Sequence, residues 1–285
     1  MSDYVMTAKH FIKQALKAAD LPSCYVTGCF GAPLNYPGAI ERWEAEWPSN
    51  KKHDALIRQR AADAKAAGTE CYGWDCINYC KALLWQWDAK PDQEYGGSIY
   101  QYQGIPDVTV YDMFNKYCID RTTDFSNIIP GAFLYYGDGS HCGIYIGDGY
   151  AAEATAKWDR KISISAVENL SDRYPEIKTY EKKRTWQAWG KLPWIDYQDA
   201  QKDTMTIKST IICPCCGKSL EAAISLTLKQ DELLTVYTVQ DGDTPWGIAR
   251  KFYGDGSKYY IIMDYNDLPR DAYIMTGQQL KIPRI

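Results

Sequence analysis

Trp74-Asp75-Cys76-Ile77-Asn78-Tyr79-Cys80-Lys81 places a cysteine in the first turn of a helix. Asp75 is a good capping residue, so the Cys76 sulfur is expected beside unpaired backbone N–H groups and the positive end of the helix dipole, where a thiolate is favoured. Further along, His141-Cys142-Gly143-Ile144-Tyr145-Ile146-Gly147-Asp148-Gly149 sets a histidine at the start of a β-hairpin whose turn is Asp148-Gly149. The chain holds 3 histidines, and His10 and His53 sit in charged helical company that reads as solvated surface. Glu153 falls on the return strand of the hairpin, where its side chain is expected to reach His141.

This constellation suits acyl transfer. A thiolate attacks a carbonyl, the N–H of Cys76 is placed to receive the oxyanion, and His141 returns a proton to the leaving amine while Glu153 orients the imidazole. Against it stands the ordinary reading of a helical cysteine as a small buried hydrophobe. Cys24, Cys80, Cys118 and Cys142 read that way, and a lone histidine at a strand start is often a surface residue.

Outward from these motifs, an apolar spacing of three and four predicts a helix over 4–19, stopped by Leu21-Pro22. Residues 22–50, rich in Gly, Pro and Trp, read as irregular. A charged, Ala-rich helix is expected over 51–67, capped by Ser49 or Asn50 and ended by Gly68. The helix of Cys76 is expected over 75–87 with Ile77, Cys80, Leu84 and Trp87 on one side. Residues 88–130 read as mostly loop with a short helix at 109–119. After Pro130-Gly131 the period becomes two, with strands at Phe133 to Tyr136, His141 to Ile146, Tyr150 to Ala154, 161–165 and 185–195. Helices followed by an antiparallel sheet make an α+β fold.

A chain of 285 residues has two domains as its natural prior. With 46% hydrophobic and 24% charged residues it reads as a soluble globular protein. A net charge of −4 gives no support for nucleic-acid binding. The sequence has no run of the roughly 20 apolar residues that a membrane span requires. Met1-Ser2-Asp3-Tyr4-Val5-Met6 lacks the features of a secretory signal, so synthesis in a reducing cytoplasm and free or metal-bound thiols are expected for the 10 cysteines.

Trp74-Asp75-Cys76, then Pro130-Gly131-Ala132-Phe133-Leu134-Tyr135-Tyr136, then the His141 to Gly149 stretch resemble, in that order, the NlpC-type peptidases, papain-like cysteine hydrolases of bacterial cell walls. The resemblance covers most of residues 20–195. It implies Cys76 as nucleophile, His141 as base and Glu153 as the third residue. Tyr25, in Tyr25-Val26-Thr27-Gly28, would lie near the oxyanion site, and Asp75 near the substrate's amino-group side. The chain departs from the family pattern at Ile77-Asn78, where Ser-Gly is usual, and at Ala132, where Asp is usual. A longer 29–70 segment, carrying Trp43 and Trp47, either roofs the cleft or is packing filler.

Polar residues 198–206 read as a linker, followed by two β-rich runs flanking Cys213-Pro214-Cys215-Cys216-Gly217-Lys218. That knuckle resembles half of a zinc ribbon, but a closed zinc site takes four ligands. No cysteine or histidine follows Cys216, so a second pair would come from upstream or from another chain; no metal or cofactor is assigned. From Tyr237 the stretch Tyr237-Thr238-Val239-Gln240-Asp241-Gly242-Asp243-Thr244-Pro245-Trp246-Gly247-Ile248-Ala249, with Asn266 and Gly277 to Pro283, resembles a LysM domain. That implies a βααβ module binding N-acetylglucosamine-containing glycan at Gly242, Asp243, Thr244, Pro245 and Asn266. Asp243-Thr244 as a plain helix cap is the competing account.

The expected organisation is therefore a papain-like hydrolase over 1–197, a linker and knuckle hairpin over 198–234, and a LysM domain over 235–285. The expected function is cleavage of a stem-peptide bond in peptidoglycan through Cys76, His141 and Glu153. The expected setting is a phage or prophage endolysin that depends on a holin for release and acts at the cell wall. An N-acetylmuramoyl-L-alanine amidase on the same site, and a non-catalytic wall-binding protein, are the alternatives.

Overall fold

The computed structural model describes residues 5–89, 102–198, 205–212, 219–226, 234–270 and 272–283. They divide into two units, the first ending at Asp196 and the second beginning at Tyr197. Both mix helix and sheet.

In the first unit, helix α1 (Ala8–Asp20) begins later than the apolar spacing predicts, because Thr7 caps it by accepting from the His10 N–H at 3.1 Å. Met6–Thr7 is instead a short strand, β1, running parallel to Ile195–Asp196. The irregular reading of 22–50 is corrected: it contains β2 (Ser23–Tyr25), β3 (Phe30–Pro33) and α2 (Ala39–Glu46). The two strands are too short to show a period, and they form by pairing with a distant segment. That segment is β4 (Tyr72–Trp74), which lies between them, parallel to β2 and antiparallel to β3.

A 3-10 turn, Pro48–His53, leads into α3 (Asp54–Ala66), so the helix starts after the residues expected to cap it. Asn50 has a different task. Its Oδ1 accepts from the Thr27 N–H at 2.9 Å, and its Nδ2 donates to the carbonyls of Thr27 at 3.1 Å and Trp43 at 3.0 Å. One buried amide thus staples the 29–70 segment to the loop after Tyr25.

Helix α4 (Cys76–Leu84) follows β4 after the single residue Asp75. The one-sided face expected for it is corrected, because Cys76 and every residue from Asn78 to Leu84 are buried while Ile77 is partly exposed. A helix packed on all sides has no solvent face to create a period. It rests against α1 and β3. Aromatic rings fill the space around its start, with Trp74 edge-on to Tyr79 at 5.5 Å and to Trp87 at 4.9 Å.

A short helical segment, α5 (Val110–Asp112), continues as a π turn over Met113–Tyr117. The stretch read as loop also contains β5 (Ile119–Thr122). Then come β6 (Phe133–Tyr136), β7 (His141–Gly147), β8 (Tyr150–Thr155), β9 (Lys161–Val167), β10 (Lys183–Arg184), β11 (Ala188–Lys191) and β12 (Ile195–Asp196). Among the described residues, seven of these form one sheet in the order β10-β9-β8-β7-β6-β11-β5. It is antiparallel except where β10 runs parallel to β9.

α4 packs on β7 and β8. The β7–β8 turn is the hairpin foreseen from Asp148-Gly149, with φ of 50° and 84° at the two residues, the mirror-image turn that matches strand twist. On β7, a side chain at Gly143 would come within 2.9 Å of the Trp186 ring, so glycine lets that indole lie on the strand.

In the second unit, β13 (Met205–Ile212) and β14 (Ser219–Leu226) pair antiparallel. The Cys213 to Lys218 knuckle between them lies outside the described residues. β15 (Leu234–Thr238) and β16 (Gln279–Pro283) pair antiparallel around α6 (Pro245–Tyr253) and α7 (Tyr259–Tyr265), over a core of Val239, Ile248, Ala249, Ile262, Leu280 and Ile282. Among the described residues no helix is long and apolar enough to cross a membrane.

Replacing Asn50 with Ala removes all three staple hydrogen bonds from a site that is 2% exposed. We expect a loss of about 2–3 kcal/mol in urea denaturation; a loss below about 0.5 kcal/mol would show that the staple does not hold the segment.

Candidate functional site

The position of Cys76 is set by Asp75. The Asp75 carboxylate caps α4 by accepting from the Asn78 N–H at 2.8 Å, and it also accepts from Asn78 Nδ2 at 2.9 Å and from the Gly28 N–H at 2.8 Å. The Asp75 N–H donates to the Cys29 carbonyl at 3.0 Å. Asp75 is therefore 8% exposed with its oxygens engaged in holding the start of α4, where Cys76 sits. Burial, and then the charge of Cys76, push its pKa up to about 7 against those donated hydrogen bonds. Asn78, which stands where the NlpC pattern has glycine, supplies two of the donors.

Cys76 itself is 8% exposed at the amino end of α4. The Tyr25 hydroxyl donates to its Sγ at 4.0 Å. Burial first, and then the neighbouring Cys76 charge, raise the Tyr25 pKa, so this phenol stays a neutral donor.

Across from the thiol, His141 Nε2 and Glu153 Oε2 are 2.6 Å apart. The hairpin makes this possible: His141 and Glu153 stand on the same face of adjacent strands, in diagonal positions that long side chains span. Glu153 is fully buried, and Ser165 and Arg184 also hold it. Ser165 Oγ donates to Oε1 at 2.5 Å, and Arg184 donates to Oε2 through Nη2 at 2.8 Å and Nε at 3.1 Å. The Arg184 guanidinium is enclosed by the rings of Tyr136 at 5.0 Å and of Trp158 and Trp186 at 5.4 Å each. Trp186 in turn stacks on the His141 imidazole at 5.7 Å with planes 16° apart.

Charge follows from these contacts. The Cys76 pKa lies well below the ordinary thiol range: the hydrogen bond from Cys142 contributes most, burial opposes it, and His141 and Tyr25 add to it. Cys142 is fully buried and its pKa is pushed well up, by burial first, so it remains a neutral S–H donor. For His141, burial disfavours the cation, but hydrogen bonds to Cys76 and Glu153 outweigh it and raise the pKa. Glu153 is likewise opposed by burial yet held low by His141 and Arg184. These shifts all favour a thiolate, an imidazolium and a carboxylate in a row, closed by a guanidinium. With Nε2 taken by Glu153, Nδ1 is the ring nitrogen left for the sulfur. Such a row can deliver a nucleophile and a proton to the same amide bond.

Of the sequence-predicted residues in this unit, Cys76, His141, Glu153 and Tyr25 come together, and Asp75 supports them from behind. Arg184, Ser165 and Trp186 escaped the sequence reading. Lys183-Arg184 is a two-residue parallel edge strand with no period to mark it. Among the described residues, no group of three or more His, Cys, Asp and Glu is placed to hold a metal ion.

In the second unit, the residues expected to touch glycan also have local structural duties. Gly242 takes a φ of 81° in the turn before α6. Asp243 accepts from the Gln240 N–H and the Tyr237 hydroxyl, each at 2.7 Å. Thr244 caps α6 by accepting from the Gly247 N–H at 3.0 Å, with Pro245 in the first turn. Asn266 donates to the carbonyls of Ile262 at 2.8 Å and Lys281 at 2.7 Å and accepts from the Lys281 N–H at 2.7 Å, tying α7 to β16. These contacts shape the loops.

An uncharacterized protein of Deinococcus radiodurans is 45% identical to this chain over 49 residues, which are 17% of this chain and 19% of that protein. The chain thus spans about a fifth of the length of that relative. Residues 237–283 match the LysM domain family, which supports a cell-wall-binding module in the second unit's βααβ portion and suggests peptidoglycan binding there.

Proposed function

We propose that this protein is a peptidoglycan hydrolase, with a papain-like cysteine hydrolase of NlpC type in residues 1–197 and the LysM module holding the chain to glycan. The observation that carries the reading is the buried row of Cys76, His141, Glu153 and Arg184, on a chain that also bears a wall-binding module. A thiol site of this kind cuts amide bonds, and peptidoglycan joins amide-linked peptides to the glycan that LysM domains bind. Holding the chain on glycan raises the local concentration of peptide at the thiol.

In the proposed mechanism the Cys76 thiolate attacks the carbonyl carbon. The oxyanion is met by the Cys76 N–H and the Tyr25 hydroxyl. As the C–N bond breaks, His141 gives its proton to the leaving amine, and the acyl group remains on sulfur. Neutral His141 then takes a proton from water, whose oxygen attacks the thioester and releases the carboxylic acid and the Cys76 thiolate. Glu153, kept anionic by Arg184, holds the imidazole in place throughout. A lysin that opens walls, such as the phage endolysins, is the setting this pairing of site and module suits.

Mass spectrometry of fragments from purified peptidoglycan tests the reading. Wild type should release fragments that are absent with Cys76→Ala, while both bind sacculi equally. New peptide amino ends would identify an endopeptidase, and intact stem peptides freed from muramic acid an amidase. Release that persists in Cys76→Ala would defeat the mechanism, and no Cys76-dependent fragment from any wall type would favour a binding protein. Deleting 235–285 should weaken binding to sacculi and spare turnover of soluble muropeptides.

The pH profile should be a bell. Activity needs the thiolate–imidazolium pair, so it falls on the acid side as Cys76 takes a proton, below the ordinary thiol range. It falls on the alkaline side as His141 loses one, above the ordinary imidazole range. A profile that rises once near the ordinary thiol pKa would contradict this assignment.

Arg184→Met should lower stability by about 3–5 kcal/mol, because it strips a guanidinium from a buried carboxylate. Adding Glu153→Gln should recover part of that loss while activity stays low; additive losses in urea denaturation would argue that the two residues do not interact.

A further inference from the structure

Arg160 lies in the loop between β8 and β9 with a φ of 48°, a left-handed conformation uncommon for a side-chain-bearing residue. Two hydrogen bonds hold it there: its carbonyl accepts from the Tyr25 N–H at 2.7 Å and from Arg60 Nη1 at 2.9 Å. Strain maintained this way marks a side chain held where it is needed. The Arg160 guanidinium lies 5.5 Å over the Tyr25 ring, and the hydroxyl of that ring donates to Cys76 Sγ. One aromatic ring therefore separates the guanidinium from the nucleophile.

The charge of Arg160 is incompletely answered. Its Nε is buried without a hydrogen-bond partner, and among the described residues it forms no ion pair. Its neighbour Asp159 is held by Lys182 at 2.8 Å. Arg60, alongside, has its N–H groups on the carbonyls of Ser23, Asp159 and Arg160 and brings a second positive charge. His53, which feels the charges of Arg160 and Lys52, adds no anion. A buried, unmet guanidinium N–H calls for an acceptor, and a guanidinium fork matches a carboxylate.

We infer that the Arg160 guanidinium, lying over the Tyr25 ring, forms an anion-reading subsite at the edge of the nucleophile, and that it takes a carboxylate of the peptide to be cut. The inference rests on the peptide substrate proposed above and adds its charge: stem peptides with a free side carboxylate are preferred over the same peptides amidated. Burial lowers the Arg160 pKa, Tyr25 and Cys24 oppose it, and the Arg60 charge adds to it; an anion in this place would offset the Arg60 charge.

The test is calorimetric titration of the full-length Cys76→Ala chain with glycan-free stem tetrapeptides, free or amidated at the side carboxylate, so that the LysM module has no ligand. The free acid should bind about 10–100-fold more tightly. Arg160→Gln in the same background should bring the ratio near one, and Arg160→Lys should keep part of it. Neither change removes a hydrogen bond, because the bonds that fix this residue are made by its backbone. Equal affinity for the two peptides, or a ratio unchanged in Arg160→Gln, would overturn the inference. Inorganic phosphate competing as well as the free peptide would overturn its assignment to a peptide carboxylate. Arg160-dependent binding in a chain whose wild type cleaves nothing would uphold the subsite and sink the hydrolase reading instead.

Discussion

The carboxylate of Asp75 is the constraint from which the first unit's site is built. It starts α4 and fastens the Gly28 loop, with hydrogen bonds of 2.8–2.9 Å. Those bonds place the Cys76 sulfur at a helix amino end and bring Tyr25 up to it. A buried carboxylate beside a thiolate is electrostatically unwelcome, and the pKa of about 7 expresses that cost. Five polar groups meet in a small volume here because each restrains the next. The same logic recurs at Glu153, where Ser165, His141 and Arg184 converge on one anion.

Much of this was legible in the sequence, for local reasons. Asp75-Cys76 is a capping signal, and Asp148-Gly149 is a turn signal that fixes the register of β7 and β8. Register then puts Glu153 within reach of His141, only 12 residues away. What remained hidden depends on contacts between distant segments. Arg184 is 31 residues from Glu153 and arrives on an edge strand of two residues. β2 and β3 are visible only through their common partner β4. Helix α4 gave a misleading face because it is buried all round, so its apolar positions carry no period.

The second unit was more legible, since its pattern of turn, cap and helix is compact and local. Yet the residues expected to touch glycan double as architecture: Thr244 caps, Asp243 closes a turn and Asn266 bridges α7 to β16. In a module of this size, the residues expected at the ligand also set the loop shape. Substitutions there change both, and only a direct binding measurement beside a stability measurement separates them.

The recessed position of Cys76 has a further consequence. At 8% exposure Cys76 offers only a narrow approach. A folded protein presents its amide bonds within helices, sheets and tight turns, and none of these is thin enough to enter. A single extended chain is, and wall peptides are short, branched and unfolded. Under the function proposed above, a thiol enclosed this way would select extended wall peptides over folded proteins by shape alone.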